Sequence, residues 1–290
     1  MRTCIFILLL FKVAVSSGQS FNWQADLAPV SKSGFYNVLL SPELVAKTKS
    51  LELNDIRIYQ GKSETPYLLR KKTDTLDNTP IPMPTVSTKE EKDKKQTVIS
   101  VAFDAAYQID KLELEVQGFK FYRRNAYIAS VNPDYNSRRR YSEPYIRLVD
   151  FVITSGKPTL IFLPGSSRYE NLSVIIENED NPALIIKGIK AYQSNMYLTA
   201  YLEKEKHYVV KMGQADLEFP RYDLSYFSDS ISRTGPSIKV LNFRRTLPET
   251  VVKLGVFSTK IWIWSALALL IALVGYLSFR MIKEIQQRKS

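Results

Sequence analysis

Cysteine is almost missing from this chain. Of 290 residues only Cys4 is one, and it sits in an apolar N-terminal stretch. A disulfide framework and a multi-cysteine zinc site are therefore excluded, and residues 5–290 hold no thiol nucleophile. Histidine is as scarce. His207 stands alone between Lys206 and Tyr208, which removes histidine-based triads and multi-histidine metal centres. The 11 glycines are scattered and form no phosphate-cradling loop. Between residues 21 and 250 no long amphipathic helical pattern occurs. An exported domain with these gaps is stabilised by its core alone.

Charge is lopsided, with 40 Lys and Arg against 29 Asp and Glu. Of the net +11, two units lie in residues 1–20 and three in 280–290, leaving about +6 between them. That is a mildly basic surface and not a nucleic-acid footprint. Residues 1–20 run Arg2, the apolar stretch Ile5–Phe11, Val13–Val15, then Ser16, Ser17 and Gly18. This is the charged, apolar and small-residue order of a secretory signal. Near the other end, Ile261–Phe279 carries no charge and has the length needed to cross about 30 Å of hydrocarbon. Trp262 and Trp264 at one edge, with Tyr276 and Arg280 at the other, are placed as interfacial residues. The expectation is a single-pass protein of the cytoplasmic (inner) membrane. Its ectodomain is extracytoplasmic, 249–260 is juxtamembrane and 280–290 is a basic cytoplasmic tail.

Between these signals the dominant period is two. Lys111–Val116 alternates Leu112, Leu114 and Val116 with Lys111, Glu113 and Glu115, and Asn54–Tyr59 sets Ile56 and Ile58 against Asp55, Arg57 and Tyr59. Such alternation marks half-buried strands. Further strands are expected at 34–40, 97–103, 122–131, 145–154, 159–163, 172–176, 184–193, 196–202, 208–212 and 238–243, in the rhythm of a β-sandwich. Ser41-Pro42-Glu43 predicts a short capped helix to about Lys47. Residues 71–97 hold Pro80, Pro82, Pro84 and the run Lys89–Lys95 with no apolar period, and read as a polar linker or loop. The expected organisation is thus a β-rich segment 21–70, the linker 71–97 and a larger sandwich 98–248.

That larger module resembles a discoidin-like (coagulation factor type C, galactose-binding-like) jelly roll. The likeness rests on the order of the 109–116 strand, Phe121–Arg124, the polar loop 132–140, the 145–154 strand, and Ser167-Arg168-Tyr169 before a late strand. Over the whole chain the sequence is similar to a bacterial envelope family of unknown function. The matching features are Leu53–Tyr59, Thr65-Pro66-Tyr67, Pro220-Arg221-Tyr222-Asp223-Leu224 and the C-terminal membrane helix. The resemblance implies a mainly β fold, antiparallel sandwich plus one transmembrane helix, and brings no reaction with it.

Candidate chemistry is sparse. Asp216, Glu218 and Asp223 are close in sequence, and Glu177, Glu179, Asp180 and Asn181 form one dense acidic loop; neither pattern specifies catalysis or a metal site. No cofactor or enzymatic activity is expected. The loop 132–145 gathers Tyr135, Tyr141 and Tyr145 with Arg138, Arg139 and Arg140. Tyrosines stack on sugar rings and arginines grip anionic groups, so these six are the ligand-binding residues expected from sequence. A non-enzymatic envelope binding protein with a carbohydrate ligand follows, with a structural or scaffold subunit docking another envelope protein as the alternative and a carboxylate-dependent enzyme as the minor one.

Overall fold

The structure, a computed structural model, describes residues 21–71, 78–117, 119–132, 135, 144–165, 167–246 and 260–287. The expected signal segment 1–20 lies outside the described residues. The chain divides into two compact units, Met1–Thr246 and Leu247–Ser290. The first is mainly β, as expected, and is built as two sandwiches, one inserted into the chain of the other, each with its own core.

The first sandwich is assembled from both ends of this unit. One sheet contains β1 (Trp23–Leu27), β3 (Arg57–Gln60), β4 (Ser63–Thr65), β16 (Tyr208–Met212) and β18 (Val240–Arg245), in the order β18-β1-β16-β3-β4. The facing sheet contains β2 (Gly34–Leu39), β5 (Tyr67–Lys71), β15 (Met196–Leu202) and β17 (Ser237–Ile238), in the order β17-β2-β15-β5. All pairings are antiparallel except β17 with β2. Alternate residues meet between the sheets: Ala25 and Leu27, Ile56 and Ile58, Leu198, Ala200 and Leu202, and Val210 and Met212 form one core.

The second sandwich is inserted between β5 and β15. Its sheets are β11-β10-β13-β8-β7 and β12-β9-β14-β6. The strands are β6 (Asn78–Pro80), β7 (Thr85–Glu91), β8 (Gln96–Gln108), β9 (Lys111–Gln117), β10 (Arg123–Val131), β11 (Tyr145–Thr154), β12 (Thr159–Phe162), β13 (Arg168–Glu177) and β14 (Ile185–Ser194). Leu112 and Leu114 of β9 enter the core with Ile99, Val101, Ile128, Ile153, Val174 and Ile176, while Glu113 and Glu115 stay outside it, as the period-two pattern requires.

Two boundaries differ from the sequence expectation. Within the expected linker 71–97, β6 and β7 are paired strands. β7 is exposed on both faces, so no apolar alternation marks it; its ladder to β8 holds it in place. Residues 196–245 also belong with 21–71 in the first core, not with the inserted sandwich. The 21–70 segment is therefore one part of a sandwich completed from the far end of the chain, because it has too few strands to close a core by itself.

The insertion point is a ladder that continues through the crossing. Lys71 pairs with Met196 in one sandwich and Asn78 with Ser194 in the other. Thr79 Oγ1 donates to Asn195 Oδ1 at 2.7 Å, and Asp110 accepts from Ser194 N and from Lys71 Nζ. Helix α1 (Pro42–Ala46) adds a second tie. Ser41 caps it and Pro42 starts it, as the sequence predicts. Leu44 and Val45 point into the first core, and Ala46 packs on the second. Arg168 is a third tie. Its guanidinium leaves the second sandwich and donates to Thr48 O (2.5 Å), Ser50 O (2.7 Å) and Thr48 Oγ1.

The second unit is the helix α2 (Lys260–Gln287). Its stretch Trp264–Lys283 is long and apolar enough to cross a membrane, and none of it is buried by protein. At 1.5 Å per residue these 20 residues reach about 30 Å. The helix runs past the expected end at 279, since Met281–Gln287 are good helix formers. Trp264 and Tyr276 are exposed on it.

Candidate functional site

Residues 213–236 connect β16 to β17 with only a single 3-10 turn, Asp223–Phe227. Side-chain donors bind this long strap to the first sandwich. Its early part lies on the outer side of β3, where Arg57 donates to Glu218 O at 2.8 Å. It then rounds the side where the two sheets end in β4 and β5. Arg70 of β5 next takes Ser228 O, Ile231 O and Ser232 O at 2.8–2.9 Å. Across β2, Asn37 Nδ2 donates to Arg233 O and Gly235 O. A segment without its own ladder needs such donors to satisfy its carbonyls.

This placement explains the buried polar residues of the first sandwich. Alternation puts Asn37, Arg57 and Thr199 opposite the core, yet they are only 5%, 6% and 1% exposed, because the strap and not water covers them. Arg57 is the hub. Its guanidinium donates to Asn54 O (2.5 Å), Ile56 O (2.7 Å) and Glu218 O, and its Nε lies 3.2 Å from Glu64 Oε1. Tyr222 donates its hydroxyl to the same Glu64 oxygen and packs edge-on against Tyr67, 5.3 Å between ring centres. Tyr67 in turn donates to Ile56 O at 2.7 Å. Burial pushes the Tyr67 phenol up to about 12. Tyr222 is driven up further, first by burial and then by its bond to the Glu64 carboxylate. Both remain neutral donors at any physiological pH.

Behind this hub, Asp55 fixes the chain where β16 turns into the strap. Its carboxylate accepts from Lys49 N (2.7 Å), Ser50 N (3.3 Å) and Gly213 N (2.9 Å). Gly213 has φ +85°, and a Cβ there would meet Lys47 O at 3.0 Å and the Trp23 ring at 3.1 Å. Only glycine fits both the conformation and the space.

The strap and the β3–β4 hairpin enclose a cleft of about 710 Å³. Rings of Tyr201, Tyr208, Tyr222 and Phe227 line it together with Glu64, Glu203, Asp223 and Arg221. Tyr201 and Phe227 are 48% and 59% exposed, and the neighbouring Tyr226 is 86% exposed. Tyr208 is spent on structure, its hydroxyl accepting from Glu203 N. Tyr201 packs edge-on with Phe35, 5.4 Å between ring centres; part-exposed rings and carboxylates in one cleft are suited to contacting an apolar face while hydrogen-bonding the polar groups at its rim.

The residues expected from sequence lie elsewhere. Tyr135 lies in the connection from β10 to β11 and Tyr145 opens β11 in the second sandwich; they are 45% and 36% exposed. Arg138, Arg139, Arg140 and Tyr141 lie outside the described residues. His207 is exposed and 3.7 Å from Asp26. In the acidic loop, Asp180 pairs with Lys95 and Asn178 Nδ2 donates to Thr97. Among the described residues no three histidine, cysteine or acidic side chains converge as for a metal ion. Asp216, Glu218 and Asp223 all fall on the strap, and of these only Asp223 lines the cleft.

The cleft was missed as a site, although Thr65, Pro66 and Arg221–Leu224 of its lining stood in the sequence motifs. The hub behind it draws on the same motifs: Arg57 belongs to Leu53–Tyr59, Tyr67 closes Thr65-Pro66-Tyr67, and Tyr222 lies in Pro220–Leu224. The three short motifs meet at one ion pair and one phenol. Comparison of the chain with protein families, with curated proteins and with solved structures returns no match.

Proposed function

We propose that the protein is a membrane-anchored, non-enzymatic binding protein of the bacterial envelope, and that the cleft beneath the strap is where it recognises a carbohydrate. In this reading residues 1–20 direct export, α2 crosses the cytoplasmic membrane, and the two sandwiches stand on its extracytoplasmic side. The observation that carries it is the cleft's make-up: the part-exposed aromatic residues Tyr201 and Phe227 line it together with Glu64, Glu203 and Asp223. Sugars are held in this way, their C–H faces on aromatic rings and their hydroxyls on carboxylates. Glu64 is held by Arg57 and Tyr222, so it serves as a fixed acceptor. The Tyr135 and Arg138–Arg140 loop of the second sandwich, discoidin-like in this reading, is the competing location.

The test is a screen of residues 21–246 against immobilised glycans and cell-wall polymers at low and high salt. Both cores close within these residues, so they fold without the helix. Binding that persists at high salt and falls at least tenfold in Phe227→Ala supports the proposal. Binding lost only in the Arg138/Arg139/Arg140→Ala variant moves the site to the other loop. Absence of glycan binding in every lane refutes the carbohydrate reading and favours docking onto an envelope protein.

A further inference from the structure

Each of the four sheets ends in two edge strands, and β11 differs from all the others. It is ten residues long, and only Arg147, Asp150 and Thr154 in it are not apolar. β4, β6, β12 and β17 have two to four residues. β5 and β18 end in Arg70-Lys71 and Arg244-Arg245, and β7 carries Lys89, Glu90 and Glu91. Short length and charge are what keep an open edge from pairing with another chain, and β11 has little of either. Its Tyr145, Ile146 and Val152 are 36%, 45% and 42% exposed, so they stand open to solvent along the strand.

A bulge decides how the two charges of β11 are presented. Ile128 and Ala129 are consecutive on β10, but their partners are Val149 and Arg147, so Leu148 is the extra residue. Val149 and Phe151 pack on the second core. In a regular strand Arg147 and Asp150, three apart, would face opposite ways. The extra residue brings both onto the outer face, where they form an ion pair and the Arg147 guanidinium lies 4.0 Å from the centre of the Tyr127 ring. A twofold axis normal to a sheet pairs two edge strands antiparallel and opposes only residues of the same face. With that axis between Leu148 and Val149, Arg147 of each copy stands opposite Asp150 of the other. Tyr145 then meets Val152, and Ile146 meets Phe151. These are opposite-charge, aromatic with β-branched, and aliphatic with aromatic pairs, the kinds that stabilise neighbouring strands.

From this self-complementarity we infer that the β11 edge is where two copies of the protein associate, through an antiparallel β11–β11 ladder that joins their five-stranded sheets. The two arginines and two aspartates at its centre form a square of alternating charge. The backbone groups that β11 leaves open find their partners in the second copy. The cleft of the first sandwich takes no part in this contact.

The test is sedimentation equilibrium of residues 21–246 with charge reversals. A contact between two edges is small, so the association is weak and is followed up to about 1 mM. Wild type should form dimers. Arg147→Asp sets Asp opposite Asp at both central pairs, and Asp150→Arg sets Arg opposite Arg, so each alone should associate about tenfold more weakly. Mixed in equal amounts, the two variants restore both opposite-charge pairs between unlike copies, and dimers should return. Arg147→Asp/Asp150→Arg in one chain should dimerise as the wild type does. An unaltered far-ultraviolet circular dichroism melt verifies the fold of each variant. Wild type that stays monomeric at about 1 mM overturns the inference. So does association that ignores both reversals, because another face would then carry it. Recovery in the doubly reversed chain without recovery in the mixture also overturns it, since the charges would then act only within one copy.

Discussion

Replacing Arg57 with alanine should unfasten the strap and unfold the first sandwich at markedly lower temperature. The side chain is 6% exposed and donates to three backbone carbonyls besides its contact with Glu64. Alanine leaves those carbonyls without their donor and Glu64 without its cation. Removing one member of a buried pair costs about 3–5 kcal/mol. Glu64 is one-third exposed, so water recovers part of its solvation and the lower end, about 3 kcal/mol, applies. For a domain of this size that corresponds to about 6–12 °C in Tm. The assay is built into the chain. Its three tryptophans are Trp23, Trp262 and Trp264, so in residues 21–246 Trp23 is alone, and it stacks on Phe243 in the first sandwich. Its fluorescence therefore reports that sandwich by itself. Arg57→Lys retains the charge beside Glu64 but not the planar fork, and should recover less than half of the loss. A shift below about 2 °C for Arg57→Ala would show that the strap does not depend on this hub.

Three further outcomes are expected. Gly213→Ala forces a Cβ against Lys47 O and Trp23 at a left-handed φ, and should cost about 2 kcal/mol in urea melts read by Trp23 fluorescence. Arg168→Ala removes a tie between the sandwiches. Melts followed by Trp23 fluorescence and by far-ultraviolet circular dichroism, coincident in the wild type, should separate into two transitions. The raised Tyr67 and Tyr222 phenols favour the folded state while they are neutral. Their contribution is complete below the ordinary tyrosine range near 10 and is lost as pH rises from there toward about 12 for Tyr67. Ultraviolet titration should show these two ionising together with loss of the fold, and an earlier, reversible ionisation of both would contradict the packing described.

Much of the fold was legible because local alternation reports burial against one partner sheet. The bounds of β11, β15 and β16 coincide with those expected, and Ser41-Pro42 located α1. What failed depends on residues distant in sequence. β7 pairs with β8 but packs nothing, so its sequence reads as a linker. β5 finds β15 across the whole inserted sandwich, and no local signal carries that pairing. Asn37, Arg57 and Thr199 alternate as solvent-facing residues do, since the pattern cannot tell water from a covering strap. The cleft was hidden for the same reason: its acids and rings come from β4, the end of β15 and the 3-10 turn, and each group alone looks like ordinary surface. The loop 132–145 stood out because it concentrates its tyrosines and arginines in one stretch, and local concentration is the only kind of site a linear reading ranks highly.

The most direct test of the cleft as the recognition site is hydrogen exchange of residues 21–246, free and with the glycan that binds most tightly in the screen. The account predicts slowed exchange in residues 219–227 and in the 60–66 hairpin, with residues 131–145 unchanged. Slowing confined to 131–145, or none in the strap at saturating glycan, would contradict it.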